Sequence, residues 1–297
     1  MPTTSRHGDR QSRSLPPAPE HIRRISEASV IAVRGPAVGT KKDRLVGEEP
    51  MAIRAAGPKQ TPVDVAVTMR TPGSEAELAA GFLWTEGLIS GADEIVGIEF
   101  GDPAVTSQPD DEVTVRLARR FDPATVASRN FVATASCGIC GKASLDQVAV
   151  RCDPIPEGVP VVGRDVIVGL PAQLREAQAV FEATGGLHAA GLFEPGGRII
   201  GLREDVGRHN ALDKLVGGEL LARRLPLHET VLLVSGRVSF EIVQKAAVAG
   251  IPIVCAVSAP SDLAMTAAER LGVTLVGFLR GDGFNLYAHP ERIALEA

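Results

Sequence analysis

The chain has few cysteines and few aromatic residues. Its 297 residues include four cysteines, one tryptophan and one tyrosine. So few thiols do not form a disulfide framework, which agrees with a reducing compartment where thiols serve reactivity or metal binding. Cys152 and Cys255 stand alone inside apolar runs, as is typical of small buried hydrophobic residues. The other two thiols, Cys137 and Cys140, form an isolated C-x-x-C pair whose purpose is the main chemical question.

A basic excess and a long apolar run are also absent. The formal net charge is −5, so generic binding to nucleic-acid backbones is not expected to be the main activity. No apolar run approaches the roughly 18 residues that span a bilayer, and no apolar segment follows the N-terminal arginines. We therefore expect a cytoplasmic protein that does not bind nucleic acid or a membrane.

The length predicts two domains, because a single domain commonly has roughly 100 to 200 residues. Residues 1–26 are rich in Arg, Ser and Pro and are predicted to be a disordered tail. Residues 27–163 predict a small α+β domain that ends in the C-x-x-C loop. Its helix is expected to begin at a capping box of Ser74 and Glu77 and to continue past Leu88. Its strands are expected at 30–33, 51–54, 63–67, 95–100 and 113–117.

Residues 164–297 alternate strands and helices, which predicts a three-layer α/β domain. The order of elements is that of the cytidine-deaminase-like fold. The zinc site of that fold needs H-x-E and P-C-x-x-C, but the corresponding positions are His209-Asn210-Ala211 and 235–239, which contains no cysteine. We therefore expect the fold without its zinc site. Helices are predicted at 171–183, 210–221, 240–249 and 262–271, and strands at 188–193, 198–202, 230–234, 252–257 and 273–278.

Three functions and one structural alternative explain the thiol pair. A structural zinc site needs four ligands, and the sequence has no second C-x-x-C or H-x-x-x-H motif. A dithiol oxidoreductase places its C-x-x-C at the start of a helix after a strand, and no strand precedes this pair. A sulfur carrier needs an accessible thiolate on a mobile loop, to which Gly138, Gly141 and Lys142 are suited. The alternative is two unreactive loop cysteines, and spacing alone leaves zinc binding, redox chemistry and sulfur transfer open.

Arg208, His209 and Arg237 are predicted to lie where strands lead into helices, so that helix N-termini add partial positive charge. These junctions are expected at one edge of the sheet, which predicts a pocket for a phosphorylated, nucleotide-like ligand. Ordinary caps and surface ion pairs explain the same residues equally well. Arg280 beside two glycines allows close approach to an anionic ligand, although spacing alone favours a Gly-Asp-Gly hairpin turn. His188 is predicted to be structural.

Three motifs together resemble one known family. They are Ser136–Lys142, Arg203–Lys214 and Ser235–Arg237, and they closely resemble the FdhD family of formate dehydrogenase accessory sulfurtransferases. The resemblance covers about Val30 to Ile293. The long central motif is highly specific, so the likeness is not explained by chance.

This resemblance implies a sulfur relay. Such a protein accepts sulfur from a cysteine desulfurase as a cysteine persulfide and delivers it to the bis-guanine-dinucleotide molybdenum cofactor (bis-MGD) before that cofactor enters formate dehydrogenase. It implies Cys137 as the persulfide carrier and Cys140 as the second thiol. It also implies a homodimer, guanine nucleotide as a partial mimic of the cofactor, and no metal of its own. The alternative is a cofactor-binding chaperone that carries no sulfur. The implied cofactor-binding residues are Phe278, Leu279, Arg280, Gly281, Asp282 and Gly283, with Arg208, His209, Ser235, Gly236 and Arg237 suited to the phosphates.

Overall fold

The structure of the chain is a computed structural model that describes residues 24–106, 108–129, 154–156 and 160–295, with the backbone alone described at 127–129. Cys137 and Cys140 lie outside the described residues, as does nearly all of the predicted N-terminal tail. None of the helices described is long and apolar enough to cross a membrane.

The described chain begins with a two-stranded ribbon. β1 (Ile25–Arg34) pairs antiparallel with β2 (Ala37–Val46). The predicted strand at 30–33 covers only the middle of β1, and β2 was not predicted. Its sequence lacks alternation because the ribbon is largely exposed on both faces, so no periodic apolar pattern is required.

A four-stranded sheet follows, with the strand order β4-β3-β6-β5. Its inner face carries Met51, Ile53, Val113 and Val115, which pack with Leu78 of the covering helix. The alternation of these residues confirms the strands predicted from period-two patterning, and β5 and β6 form the predicted antiparallel hairpin. The elements are β3 (Glu49–Ala56), β4 (Val63–Arg70), α1 (Glu75–Thr85), β5 (Ile95–Phe100), β6 (Glu112–Leu117) and α2 (Pro123–Arg129).

The predicted capping box at the start of α1 is wrong. Ser74 adopts a left-handed backbone with φ of 64°, and its side chain makes no capping hydrogen bond. The carboxylate of Glu75 instead accepts a hydrogen bond from the Gly73 N–H. The helix ends at Thr85, before the predicted Leu88. A capping box requires an extended N-cap residue, and the tight turn before α1 does not permit that conformation.

The C-terminal part contains a six-stranded sheet in the order β13-β12-β11-β10-β8-β9. The central strands β10, β11 and β12 are parallel to one another, and the remaining pairings are antiparallel. The strands are β8 (His188–Phe193), β9 (Ile199–Asp205), β10 (Val231–Val234), β11 (Ile253–Ala256), β12 (Thr274–Arg280) and β13 (Gly283–Ala288).

Helices cover both faces of this sheet, which confirms the predicted three-layer α/β architecture. Buried residues of α5, α6 and α7 pack on one face, and Ile167, Leu170 and Leu174 of α3 pack on the other. The single helix predicted at 171–183 is two helices, and Pro171 lies inside the first of them. The helices are α3 (Arg164–Ala177), α4 (Ala179–Thr184), α5 (Arg208–Leu221), α6 (Phe240–Val248) and α7 (Asp262–Leu271), and the short strands β7 (Val162–Gly163) and β14 (Ile293–Ala294) pair in parallel.

A buried charge cluster joins α1 to the C-terminal sheet domain. The Nζ atom of Lys245 donates to the Asp213 carboxylate at 3.0 Å, to Glu86 Oε1 at 2.9 Å and to Thr85 Oγ1 at 2.8 Å. Burial disfavours the ammonium, but the carboxylates of Asp213 and Glu86 outweigh this cost and raise the pKa of Lys245. The two halves of the chain are therefore tied together by a charged contact that stays ionised near neutral pH.

Candidate functional site

One edge of the six-stranded sheet collects the predicted ligand-binding residues. Because β10, β11 and β12 are parallel, their carboxyl ends lie at the same edge. β8 is antiparallel to both β10 and β9, so the start of β8 and the end of β9 lie there as well. The topology thus brings Arg208, His209, 235–237 and 278–280 to a common edge. Neighbouring strands are about 4.8 Å apart, so the end of β12 lies roughly 10 Å from the end of β10.

The turn into α5 is fixed by the buried carboxylate of Asp205. Its oxygens accept hydrogen bonds from the Gly207 N–H at 2.8 Å, from Asn210 Nδ2 at 3.1 Å and from the Thr71 N–H at 3.1 Å. The Nζ atom of Lys214 lies 2.6 Å from the same carboxylate. Much of the motif 203–214 is therefore structural, and it holds the first turn of α5 in place.

Arg208 is the first residue of α5, as the sequence predicted for a strand-to-helix junction. Its Nε atom is buried and has no hydrogen-bond partner within the described residues. A buried guanidinium nitrogen without a partner is energetically unfavourable. An anion held at the N-terminus of α5 would satisfy it.

The loop after β10 lies directly beside Arg208. Ser235 is locked to the start of β8, since its Oγ accepts from the Ala189 N–H at 2.9 Å and its N–H donates to the Ala189 carbonyl at 3.0 Å. Gly236 is buried, and a Cβ atom added there would lie 3.2 Å from His188 Nδ1 and 3.7 Å from Arg208 Cδ. The side chain of Arg237 is exposed and makes no hydrogen bond or ion pair with any residue the structure describes. Arg237 is thus available for an anionic ligand.

His209 contributes hydrogen bonding rather than charge. Its Nε2 lies 3.2 Å from Ser239 Oγ and 3.8 Å from Glu241 Oε2. Burial, together with the charges of Arg208 and Lys245, lowers the pKa of His209 to about 4. The imidazole is therefore neutral near pH 7, and the positive charge at this edge comes from the arginines.

The segment 278–283 is the hairpin turn that the spacing favoured. β12 and β13 pair antiparallel with Arg280 opposite Gly283, and Gly281 has φ of +56°. Phe278 is exposed and has φ of +53°, a conformation that bulky side chains rarely adopt. Leu279 is fully buried in the core, so only its backbone is accessible to a ligand. The carbonyl of Asp282 accepts a hydrogen bond from Arg164.

The turn also positions a guanidinium beside an aromatic ring. The Cζ atom of Arg280 lies 5.9 Å from the ring centroid of Phe278. Its Nε donates to the Val257 carbonyl at 2.8 Å, and Nη1 and Nη2 make no hydrogen bond to a described residue. An exposed ring and a partly free guanidinium are suited to a ligand that carries both a base and phosphates.

The structure locates only the ends of the segment that carries the thiol pair. The chain leaves the described part after α2, and it returns at Ile155, whose N–H donates to the Leu271 carbonyl at the end of α7 at 3.0 Å. Cys255, by contrast, is fully buried, and burial raises the pKa of its thiol. Cys255 is therefore an unreactive core residue, as its apolar surroundings in the sequence predicted.

Groups of His, Cys, Asp and Glu that could hold a metal ion are not present among the described residues. Sequence reasoning treated His188 as structural, yet it lies at the functional edge. Its position as the first residue of a strand whose partners end there was the available signal.

Comparison with known proteins assigns the family. Residues 46–294 match the FdhD/NarQ family model. A sulfur carrier protein FdhD from Streptomyces avermitilis is 50% identical over 280 residues, covering 92% of this chain and 98% of that protein. The corresponding protein from Sulfurisphaera tokodaii is 43% identical, covering 91% and 99%. The crystal structure of a putative formate dehydrogenase accessory protein from Desulfotalea psychrophila has a TM-score of 0.68 and 25% identity, covering 91% and 99%. This chain therefore belongs to the FdhD/NarQ family.

Proposed function

We propose that this protein is a sulfurtransferase of formate dehydrogenase maturation. It accepts sulfur from a cysteine desulfurase as a persulfide on Cys137 and transfers it to bis-MGD, which is its substrate. The observation that carries this proposal is the cationic edge of the C-terminal sheet, where the buried Nε of Arg208 has no partner and Arg237 is unpaired. Relatives named sulfur carrier protein FdhD support the sulfur-transfer part.

The chemistry of the first step uses only thiol exchange. The Cys137 thiolate attacks the terminal sulfur of the donor's persulfide, the sulfur–sulfur bond of the donor breaks, and the donor cysteine leaves as a thiolate. Cys137 then carries one additional sulfur atom, without net oxidation. Cys140 supplies the second thiol of the transfer.

The residues at the edge fit the nucleotide ends of the substrate. A guanine dinucleotide carries diphosphates, which need cations and N–H donors, and a base, which stacks on a flat apolar surface. Arg208, Arg237 and the first turn of α5 supply the former. Phe278 and Arg280 supply a stacking surface and a further cation. In this arrangement the substrate lies along the carboxyl edge of the sheet.

The proposal also includes a homodimer in the cytoplasm, with formate dehydrogenase as the recipient. The printed name of the Desulfotalea psychrophila protein, a formate dehydrogenase accessory protein, supports this recipient. Sedimentation of the purified full chain measures its oligomeric state.

Persulfide loading tests the sulfur-transfer part directly. Anaerobic incubation with a cysteine desulfurase and cysteine should add about 32 Da to the peptide that carries Cys137. The Cys137→Ala variant should lose the adduct at that position, and Cys152→Ala serves as the matched cysteine control that keeps it. Absence of the adduct from the unaltered chain would contradict sulfur transfer.

A maturation assay separates a carrier from a chaperone. Cells that produce only the Cys137→Ala variant should lack active formate dehydrogenase, although the variant still binds guanine nucleotide. If the variant supports full formate dehydrogenase activity, the protein is a cofactor-binding chaperone that carries no sulfur.

A further inference from the structure

We infer that His188 is an additional ligand-binding residue of this edge, and that it takes up a proton when a guanosine diphosphate group binds between Arg208 and Arg237. This inference rests on the proposed function, because it assumes that the edge holds the nucleotide part of the substrate. It assigns a role to a residue that lies outside the three sequence motifs.

The position of His188 follows from the sheet topology. It is the first residue of β8 and pairs with Asp205, the last residue of β9. On its other side, the loop after β10 is hydrogen bonded to Ala189. His188 therefore lies between the turn into α5 and the loop that carries Arg237.

Gly236 brings the imidazole and a guanidinium side chain together. A Cβ atom added at Gly236 would lie 3.2 Å from His188 Nδ1, 3.3 Å from His188 Cε1 and 3.7 Å from Arg208 Cδ. Any larger residue would displace one of these two side chains. The ring nitrogens of His188 make no hydrogen bond to a described residue, whereas the rings of His209 and His289 do. His188 is thus half-buried at the site and has an unused donor and acceptor.

The charges that face His188 determine its protonation. Burial and the nearby guanidinium groups of Arg208 and Arg237 lower the pKa of His188, and the carboxylate of Asp205 opposes them. Asp205 is itself neutralised by Lys214, whose Nζ lies 2.6 Å away. Without a ligand, the imidazole is therefore neutral near pH 7.

A diphosphate reverses this balance. Its negative charges offset those of the two arginines, so the charged form of His188 becomes more favourable and its pKa rises. Between the lowered pKa of the free protein and the raised pKa of the complex, binding takes up a proton from solvent. Affinity must then increase as the pH falls through this interval. A single linked proton changes the dissociation constant by at most about tenfold per pH unit.

Calorimetry of the full chain tests this coupling. The probe is a guanosine diphosphate sugar, because its phosphates are esterified and do not titrate near pH 6, whereas the terminal phosphate of a free nucleotide does. Titrations at pH 6 in two buffers of different ionisation enthalpy measure proton uptake. We expect uptake by the unaltered chain, and affinity roughly three- to tenfold higher at pH 5.5 than at pH 7.5.

Variants identify the group that takes up the proton. His188→Asn and His188→Gln should bind the probe without uptake and with little pH dependence, while circular dichroism verifies that both are folded. His209→Gln should keep the uptake, since the pKa of His209, about 4, lies below this range. His228→Asn is the remote control, because His228 precedes β10 at the opposite edge of the sheet.

Each outcome separates the two proposals. Binding without proton uptake by the unaltered chain, or uptake that persists in both His188 variants, would overturn the role of His188 and leave the nucleotide site intact. Failure of the unaltered chain to bind the probe at any pH would overturn the nucleotide site and the His188 role together. Persulfide loading of Cys137 is measured independently of either result.

Discussion

Gly81 of α1 and Gly217 of α5 lie face to face where the two helices cross. A Cβ atom on Gly217 would lie 1.9 Å from the Glu77 carbonyl oxygen and 2.7 Å from the Gly81 nitrogen, and one on Gly81 would lie 1.9 Å from the Asp213 carbonyl oxygen. These obstacles are backbone atoms, which cannot move aside without displacing a helix. The helix that begins with Arg208 thus lies in direct backbone contact with the helix that covers the four-stranded sheet.

Gly217→Ala should destabilise the protein by about 3 kcal/mol or more, because the added methyl group forces the helices apart. The control is Gly169→Ala inside α3, where an added Cβ meets nothing within 4 Å. This control should be neutral or up to about 1 kcal/mol more stable, because alanine favours a helix. Urea unfolding measures both variants, and equal stabilities would contradict the tight crossing.

Lys245→Met should cost about 3–5 kcal/mol of unfolding free energy. The substitution leaves Asp213, which is fully buried beside Glu86, without its cation. The exposed pair of Arg198 and Glu194 provides the comparison, and Arg198→Ala should cost less than about 1 kcal/mol. A loss below 1 kcal/mol for Lys245→Met would mean that the buried cluster contributes little to the contact between the two sheets.

The unfolding free energy should fall as the pH is lowered from 7 to 5. The pKa of His209 is about 4 in the folded protein, against about 6.5 in an unfolded chain. The unfolded state therefore binds more protons in this interval, so acid favours unfolding, by about 1–2 kcal/mol at pH 5 from this group. His209→Gln should remove that part of the pH dependence in urea unfolding. An unchanged slope in the variant would show that His209 titrates normally.

Arg280→Ala should weaken guanine nucleotide binding by about 1.5–3 kcal/mol if its guanidinium meets a phosphate. Calorimetry with GDP measures the loss. Arg164→Ala is the matched control, because Arg164 supports the same turn through the Asp282 carbonyl and is not proposed to contact the ligand. Equal losses in both variants, or unchanged affinity in Arg280→Ala, would restrict Arg280 to a role in the turn.

The three-layer domain could be predicted because its core strands and helices carry local signals. The buried strands at 231–234 and 253–256 are continuous apolar runs, and Ser261 caps α7 with its Oγ accepting from the Ala264 N–H at 3.1 Å, as predicted. The four-stranded sheet was equally readable, since its strands alternate. β2 was missed because a ribbon exposed on both faces needs no apolar pattern. The capping box at Ser74 failed because a left-handed turn overrode a local motif.

The sequence by itself determined the family, the isolated thiol pair at Cys137 and Cys140, and the residues predicted to bind a phosphorylated ligand, since these depend on residue identity and spacing. Only the tertiary structure divided the central motif into structural and exposed parts. Burial and distant partners decide that Asp205 and Lys214 hold a turn while Arg208 and Arg237 keep unused donors. It also placed His188 beside them, because strand pairing joins residues that lie far apart along the chain.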